Sequence, residues 1–133
     1  MSLKTNLGTI LLVDDEALVR KGAAAMLNAG NYEVLEAVDG LDAVSKYQAY
    51  PGVFRLVVMD ISMPKLNGIL AAKRIRELNP GARIIFISGS RLTAPPEAGA
   101  DGFLTKPLRG KDLVNCVNRV LREPVPPGAR RAE

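Results

Sequence analysis

Three unbroken β-rich apolar runs, Ile10–Val13, Leu56–Met59 and Ile84–Ile87, constrain this chain more than any other feature. A run that does not alternate with polar residues reads as a strand covered on both faces, as in a parallel sheet. Asp14, Asp60 and Ser88 follow the three runs directly. Segments of helical period lie between them. Val19, Ala23, Met26 and Leu27 share one face of 16–28, which Ala29-Gly30-Asn31 stops by C-cap chemistry. Asp39 reads as the N-cap of a helix over Gly40–Ala49, with Ala43, Val44 and Tyr47 inward. The same spacing predicts helices over Gly68–Leu78, with Ala71, Ile75 and Leu78 inward, and over Leu108–Arg122, with Leu113, Val117, Val120 and Leu121 inward. Tyr32–Ala37 alternates like a strand, and Gly102–Thr105 is a short strand that stops at Lys106-Pro107. Strands and helices in this alternation predict a doubly wound α/β fold with a five-stranded parallel sheet and right-handed crossovers. Such folds bind ligands beyond the carboxyl ends of their strands.

Composition removes whole chemistries. The 133 residues contain no histidine and one cysteine, Cys116. A Ser-His-Asp triad, a Cys-His pair, an intrachain disulfide and a cysteine metal cluster are therefore excluded. A lone cysteine fits a reducing compartment, and the cytoplasm is the expected location. No apolar run approaches the ~18 residues of a membrane span, so no membrane association is expected. The length suits one domain, expected over 8–123. Residues 1–7 form an N-terminal extension, and 124–133 a tail or linker rich in proline and arginine. The net charge of +4 is uneven: residues 1–108 carry twelve basic and eleven acidic side chains, residues 109–133 six and three. No aromatic residue interleaves with those C-terminal arginines, so direct nucleic-acid binding is not expected.

The predicted strand ends hold Asp14, Asp15, Asp60, Ser88 and Lys106. Two carboxylates about 5 Å apart repel by roughly 3 kcal/mol at an effective dielectric of about 20. A metal or a lysine must offset three of them. Hard oxygen donors with open positions suit Mg²⁺, which readily takes a phosphoryl oxygen. A lysine and a hydroxyl could steady a transferring phosphoryl group, and a carboxylate can accept one. Each residue alone has an ordinary reading, as an N-cap, a loop acid or a turn. Their recurrence at successive strand ends suggests an aspartyl-phosphate site.

These residues resemble a known family. Asp14-Asp15, Met59-Asp60-Ile61-Ser62-Met63-Pro64, Asn67-Gly68, Ile87-Ser88-Gly89 and Gly102-Phe103-Leu104-Thr105-Lys106-Pro107 resemble the receiver domain of bacterial two-component response regulators, over about residues 8–123. The resemblance implies a flavodoxin-like sheet of order 2-1-3-4-5 with five helices. It implies that Asp60 is the phosphoacceptor and that Mg²⁺ lies among Asp14, Asp15, Asp60 and the backbone carbonyl of Ser62. Lys106 would pair with the phosphoryl group, and its bond to Pro107 would be cis. Ser88 and Phe103 would be the switch residues. Gly89 would leave the acceptor open to its donor. A sensor histidine kinase or a histidine phosphotransfer protein would be the donor, and an unidentified effector would read the result.

One departure from the family is visible. Ser88 and Lys106 lie 18 positions apart, about four fewer than usual, or roughly one helical turn. Pro95-Pro96 fits only a first turn, so a fourth helix is at most Pro95–Ala100. A shortened helix there removes part of a symmetric docking face, and the isolated domain is expected to be a monomer. Two rival functions fit the residues less well. An aspartate-nucleophile phosphohydrolase would place an acid two residues after its nucleophile, where this chain has Ser62. A phosphorylation-independent interaction module would not need the complete set of Asp14, Asp15, Asp60, Ser88 and Lys106.

Overall fold

A computed structural model describes residues 6–63, 65–89 and 99–123. In chain order the elements are β1 (Thr9–Val13), α1 (Ala17–Ala29), β2 (Glu33–Ala37), α2 (Gly40–Ala49), β3 (Phe54–Asp60), α3 (Gly68–Leu78), β4 (Ile84–Ser88), β5 (Gly102–Thr105) and α4 (Gly110–Arg122). The strands form one parallel sheet of order β2-β1-β3-β4-β5. β3 is therefore central and carries Asp60 at its carboxyl end. The predicted segment Pro95–Ala100 falls largely outside the described residues, which contain four helices.

Strand alternation sorts the apolar side chains onto two faces. Leu11, Val13, Val57, Met59, Ile84 and Phe86 join Ala43 and Tyr47 of α2 and Ala71, Ala72 and Ile75 of α3 in one cluster. Ile10, Leu12, Leu56, Val58, Ile85 and Ile87 join Ala23, Ala24 and Leu27 of α1 and Leu113, Val117 and Val120 of α4 in another. Each fully buried valine, leucine, isoleucine, methionine or phenylalanine among them contributes about 1.5–3 kcal/mol. This two-sided burial is why the runs at β1, β3 and β4 do not alternate with polar residues.

Local chemistry sets the helix ends. The Asp39 carboxylate accepts the Asp42 amide at 2.7 Å and caps α2, while the Asn67 carbonyl oxygen accepts the Leu70 amide at 3.0 Å and caps α3. Past α1, Asn31 rather than Gly30 takes the left-handed conformation, with φ of 75° against −86°. Gly30 serves a different need: a Cβ there would stand 3.0 Å from Val114 Cγ1 of α4.

The sequence expectation needs correction at three helices. Leu78 is 47% exposed, because α3 ends where its inward face has already passed Ile75. Ala24 is buried on α1, whereas Val19 and Met26 are half-buried. The last helix begins at Gly110, not Leu108, and Glu16 precedes α1 as an extended N-cap residue with no side-chain cap bond. Gly22 lies on the exposed side of α1, and a Cβ there would meet nothing within 4 Å. Gly22→Ala should therefore raise stability by about 0.5–1 kcal/mol through helix propensity alone. Urea denaturation checks this, and a lower midpoint would contradict it.

Candidate functional site

The parallel register brings the ends of β1, β3, β4 and β5 to one edge of the sheet. Asp14 follows β1 and Asp60 closes β3, each 2% exposed, and Ser88 closes β4 at 5%. Asp15 is exposed. Asp14, Asp15 and Asp60 can each offer a carboxylate oxygen within 4.8 Å of the others. Lys106, just past β5, reaches back into this group. Its Nζ lies 3.1 Å from Asp14 Oδ2, 3.4 Å from Asp60 Oδ2 and 2.7 Å from Glu16 Oε1. The Lys106–Pro107 bond is cis.

Backbone amides hold both buried acids. The Glu16 amide donates to Asp14 Oδ1 at 2.9 Å, and the Ser62 amide donates to Asp60 Oδ1 at 3.3 Å. Asp60 is also fixed from behind. The Ile61 amide donates to the Ile87 carbonyl at 2.9 Å, and the Gly68 amide to the Ile61 carbonyl at 2.9 Å. α3 begins so close to this turn that a Cβ on Gly68 would overlap the Asp60 carbonyl oxygen. Ser88 lies beside Thr105 in the β4–β5 register, and its carbonyl accepts the Lys106 amide at 2.9 Å. Phe103 is half-buried and faces Phe86 across the same pair of strands. A Cβ on Gly89 would stand 3.9 Å from Lys106 Cδ, an ordinary contact.

The electrostatics follow from this crowding. Burial first, and then the Asp14 charge, push Asp60 up from the ordinary 3.8 to about 6, against the downward pull of Lys106 and the Ser62 amide. Burial alone would lower Lys106, but its contacts with Glu16 and Asp14 and the charges of Asp60 and Asp14 outweigh this and hold it above its usual value. Asp14 Oδ2 is buried without a hydrogen bond. The Lys106 ammonium at 3.1 Å balances its charge but lies off its hydrogen-bonding direction. One ammonium thus serves Asp14, Glu16 and Asp60 while Asp15 stands beside them. A hard divalent cation fits that donor set, and Asp14 Oδ2 is the atom most in need of one.

The sequence reading missed two features. Glu16 makes the shortest contact to Lys106, and only its place directly after the two aspartates hinted at this. Arg20 of α1 and Glu36 of β2 form an ion pair at 2.8 Å beside the acidic turn. The one available signal was an acid at Glu36 inside a predicted strand. Burial would raise the Glu36 carboxyl, but hydrogen bonds from Arg20 and Lys21 hold it below its usual value.

The doubly wound α/β fold, with two buried acids and one lysine gathered at the carboxyl edge of the sheet, is that of a signalling module of the receiver class. The chain belongs to the response regulator receiver domain family, whose model matches residues 10–118. It is similar to the chemotaxis protein CheY of Treponema pallidum, with 39% identity over 119 residues, covering 85% of this chain and 82% of that protein. Among solved structures it resembles the CheX–CheY–BeF3–Mg²⁺ complex from Borrelia burgdorferi, with a TM-score of 0.78 and 30% identity over 85% of this chain and 88% of that one. The receiver domain of the hybrid histidine kinase CckA is also similar, with a TM-score of 0.75 and 38% identity over 86% of this chain and 99% of that one. Among the described residues no helix is long and apolar enough to cross a membrane.

Proposed function

We propose that Asp60 is the phosphoacceptor, with Asp14, Asp15, Asp60 and the Ser62 carbonyl holding Mg²⁺. The observation that carries this is the position of Asp60: the end of the central strand, buried, 3.4 Å from Lys106 and grouped with Asp14 and Asp15. Bound Mg²⁺ would neutralise charge on the carboxylates and on the incoming phosphoryl oxygens.

A carboxylate oxygen of Asp60 forms a bond to phosphorus while the bond to the donor imidazole nitrogen breaks; that nitrogen keeps the bonding pair and takes a proton from solvent, leaving an acyl phosphate and a neutral histidine. Asp60 must be ionised to act; burial and the Asp14 charge hold it at about 6 without a metal, and bound Mg²⁺ would favour the carboxylate further. Lys106 supplies positive charge where negative charge gathers on the phosphoryl oxygens. Ser88 and Phe103 lie on β4 and β5 beside this edge and are the switch that reports the new group. Water then attacks phosphorus, the bond to the Asp60 oxygen breaks, and inorganic phosphate leaves with Asp60 again a carboxylate, so the domain takes part in its own dephosphorylation. The donor is a sensor histidine kinase or a histidine phosphotransfer protein, a reading supported by the similarity to the CckA receiver. The module spans 8–123, acts in the cytoplasm as a monomer, and passes its state to an effector not yet identified.

Incubation with acetyl phosphate and Mg²⁺ tests the assignment. The expected product carries one hydroxylamine-labile phosphoryl group, which borohydride trapping maps to Asp60. A label on a serine or threonine, or uptake that is equal in EDTA, would refute it.

A further inference from the structure

We propose that Arg20 is a positioning residue for the metal-binding turn, acting together with Glu36; this rests on the reading of Asp14 and Asp15 as metal ligands. The Asp14 main chain is held from two sides. Its amide donates to the Ala37 carbonyl of β2 at 3.2 Å, the last rung between β1 and β2. Its carbonyl lies past the end of β1, and Arg20 Nη1 donates to it at 2.8 Å. Arg20 Nε donates at the same time to Glu36 Oε1 at 2.8 Å.

Glu36 is itself fixed. Lys21 Nζ donates to its second oxygen at 3.2 Å, and Lys46 Nζ donates to its backbone carbonyl at 2.7 Å. The Arg20 side chain is only 11% exposed, and that of Glu36 26%, so solvent screens the pair weakly. The guanidinium fork thus spans from a fixed carboxylate on β2 to the peptide that joins Asp14 to Asp15. That peptide sets the direction in which Asp15 leaves the chain. It also sets the Asp14 side chain, whose Oδ1 takes the Glu16 amide.

Charge alone would give Arg20 the opposite effect. A cation beside an acidic cluster repels a second cation, and its removal would leave Glu36 as an added negative charge. An electrostatic role therefore predicts tighter Mg²⁺ binding when Arg20 is lost. A positioning role predicts weaker binding. A residue that only supports the fold would change neither affinity nor local exchange at a preserved unfolding midpoint.

Mg²⁺ titration followed by amide NMR, with amide hydrogen exchange of the metal-free protein, separates these. Arg20→Met should weaken Mg²⁺ binding about tenfold, as loss of an outer partner of a metal ligand does. The Glu16 amide should exchange faster in the metal-free variant. Glu36→Gln should act in the same direction by a smaller factor. Arg20→Lys should not restore binding, since one ammonium nitrogen cannot stand where both fork nitrogens do. Arg74→Met, on the exposed side of α3, should leave both readouts unchanged. Equal or tighter Mg²⁺ binding by Arg20→Met overturns the proposal; if that variant does not fold, the same result with Glu36→Gln overturns it. A natural chain that binds no Mg²⁺ overturns both this proposal and the reading of the acids as metal ligands.

Discussion

In metal-free solution above pH 6, Asp60→Asn should fold more stably than the natural chain while accepting no phosphoryl group. Both outcomes come from one carboxylate. Asp60 is 2% exposed and grouped with Asp14 and Asp15. In the folded protein it keeps its proton up to about pH 6, whereas in the unfolded chain it releases it near 3.8. Between these values the folded state binds more protons, so stability falls as pH rises, and above 6 the whole penalty is present. A gap of that size corresponds to about 2–3 kcal/mol. Asparagine keeps the acceptor for the Ser62 amide and removes the charge. It also brings a donor into a cluster in which Asp14 Oδ2 lacks one. Urea denaturation in EDTA should show the variant ahead at pH 7.5 and the two proteins converging near pH 4. A constant difference across that range would show that Asp60 is not the group responsible. Acetyl phosphate with Mg²⁺ should label the natural chain and leave Asp60→Asn unlabelled.

Gly68→Ala should be among the most damaging single changes available, with a loss of about 3 kcal/mol. Gly68 is the first residue of α3 and is buried against the turn that follows β3. A new Cβ would overlap the Asp60 carbonyl oxygen and come within 2.9 Å of Met59 Cγ. Backbone cannot rotate aside as the tip of a side chain can. Either α3 lifts from the sheet or the Asp60 peptide turns. The second route moves the proposed acceptor, so phosphoryl uptake should fall further than the unfolded fraction alone accounts for. Gly22→Ala, a change of the same chemistry in open space, is the matched control. Equal urea midpoints for the two variants would contradict the steric account.

Much of the fold was legible because few arrangements satisfy unbroken apolar strands. A strand with Leu56, Val57, Val58 and Met59 all apolar must lie under helices on both sides, and all four are buried. The polar residue that ends such a strand then lies at the ligand edge, which is how Asp14, Asp60 and Ser88 could be picked out. Lys106 was legible from its place after the short fifth strand. Contacts between long side chains were not legible. Glu16 meets Lys106 across ninety positions and Arg20 meets Glu36 across sixteen, and both pairings depend on strand order and helix rotation. Leu78 was misjudged for a related reason: helical period tells which residues share a face, but not where the sheet beneath that face stops.

The separation of the core into two clusters has a consequence for how the domain can change. α1 and α4 share one cluster, α2 and α3 the other, and the central strands divide them. A swap such as Leu12→Val is felt by α1 and α4, whereas Leu11→Val is felt by α2 and α3. Energies of changes on opposite sides of the sheet, at positions well apart along the strands, should then add nearly independently, as they do for distant sites without shared partners. Variation can accumulate under one pair of helices, altering the surface that pair offers to other proteins, while the opposite pair keeps its fit. The proposed phosphoacceptor edge lies on the sheet, the layer common to both halves, but Arg20 of α1 and Gly68 of α3 also hold it, so neither half is free to drift where it meets that edge.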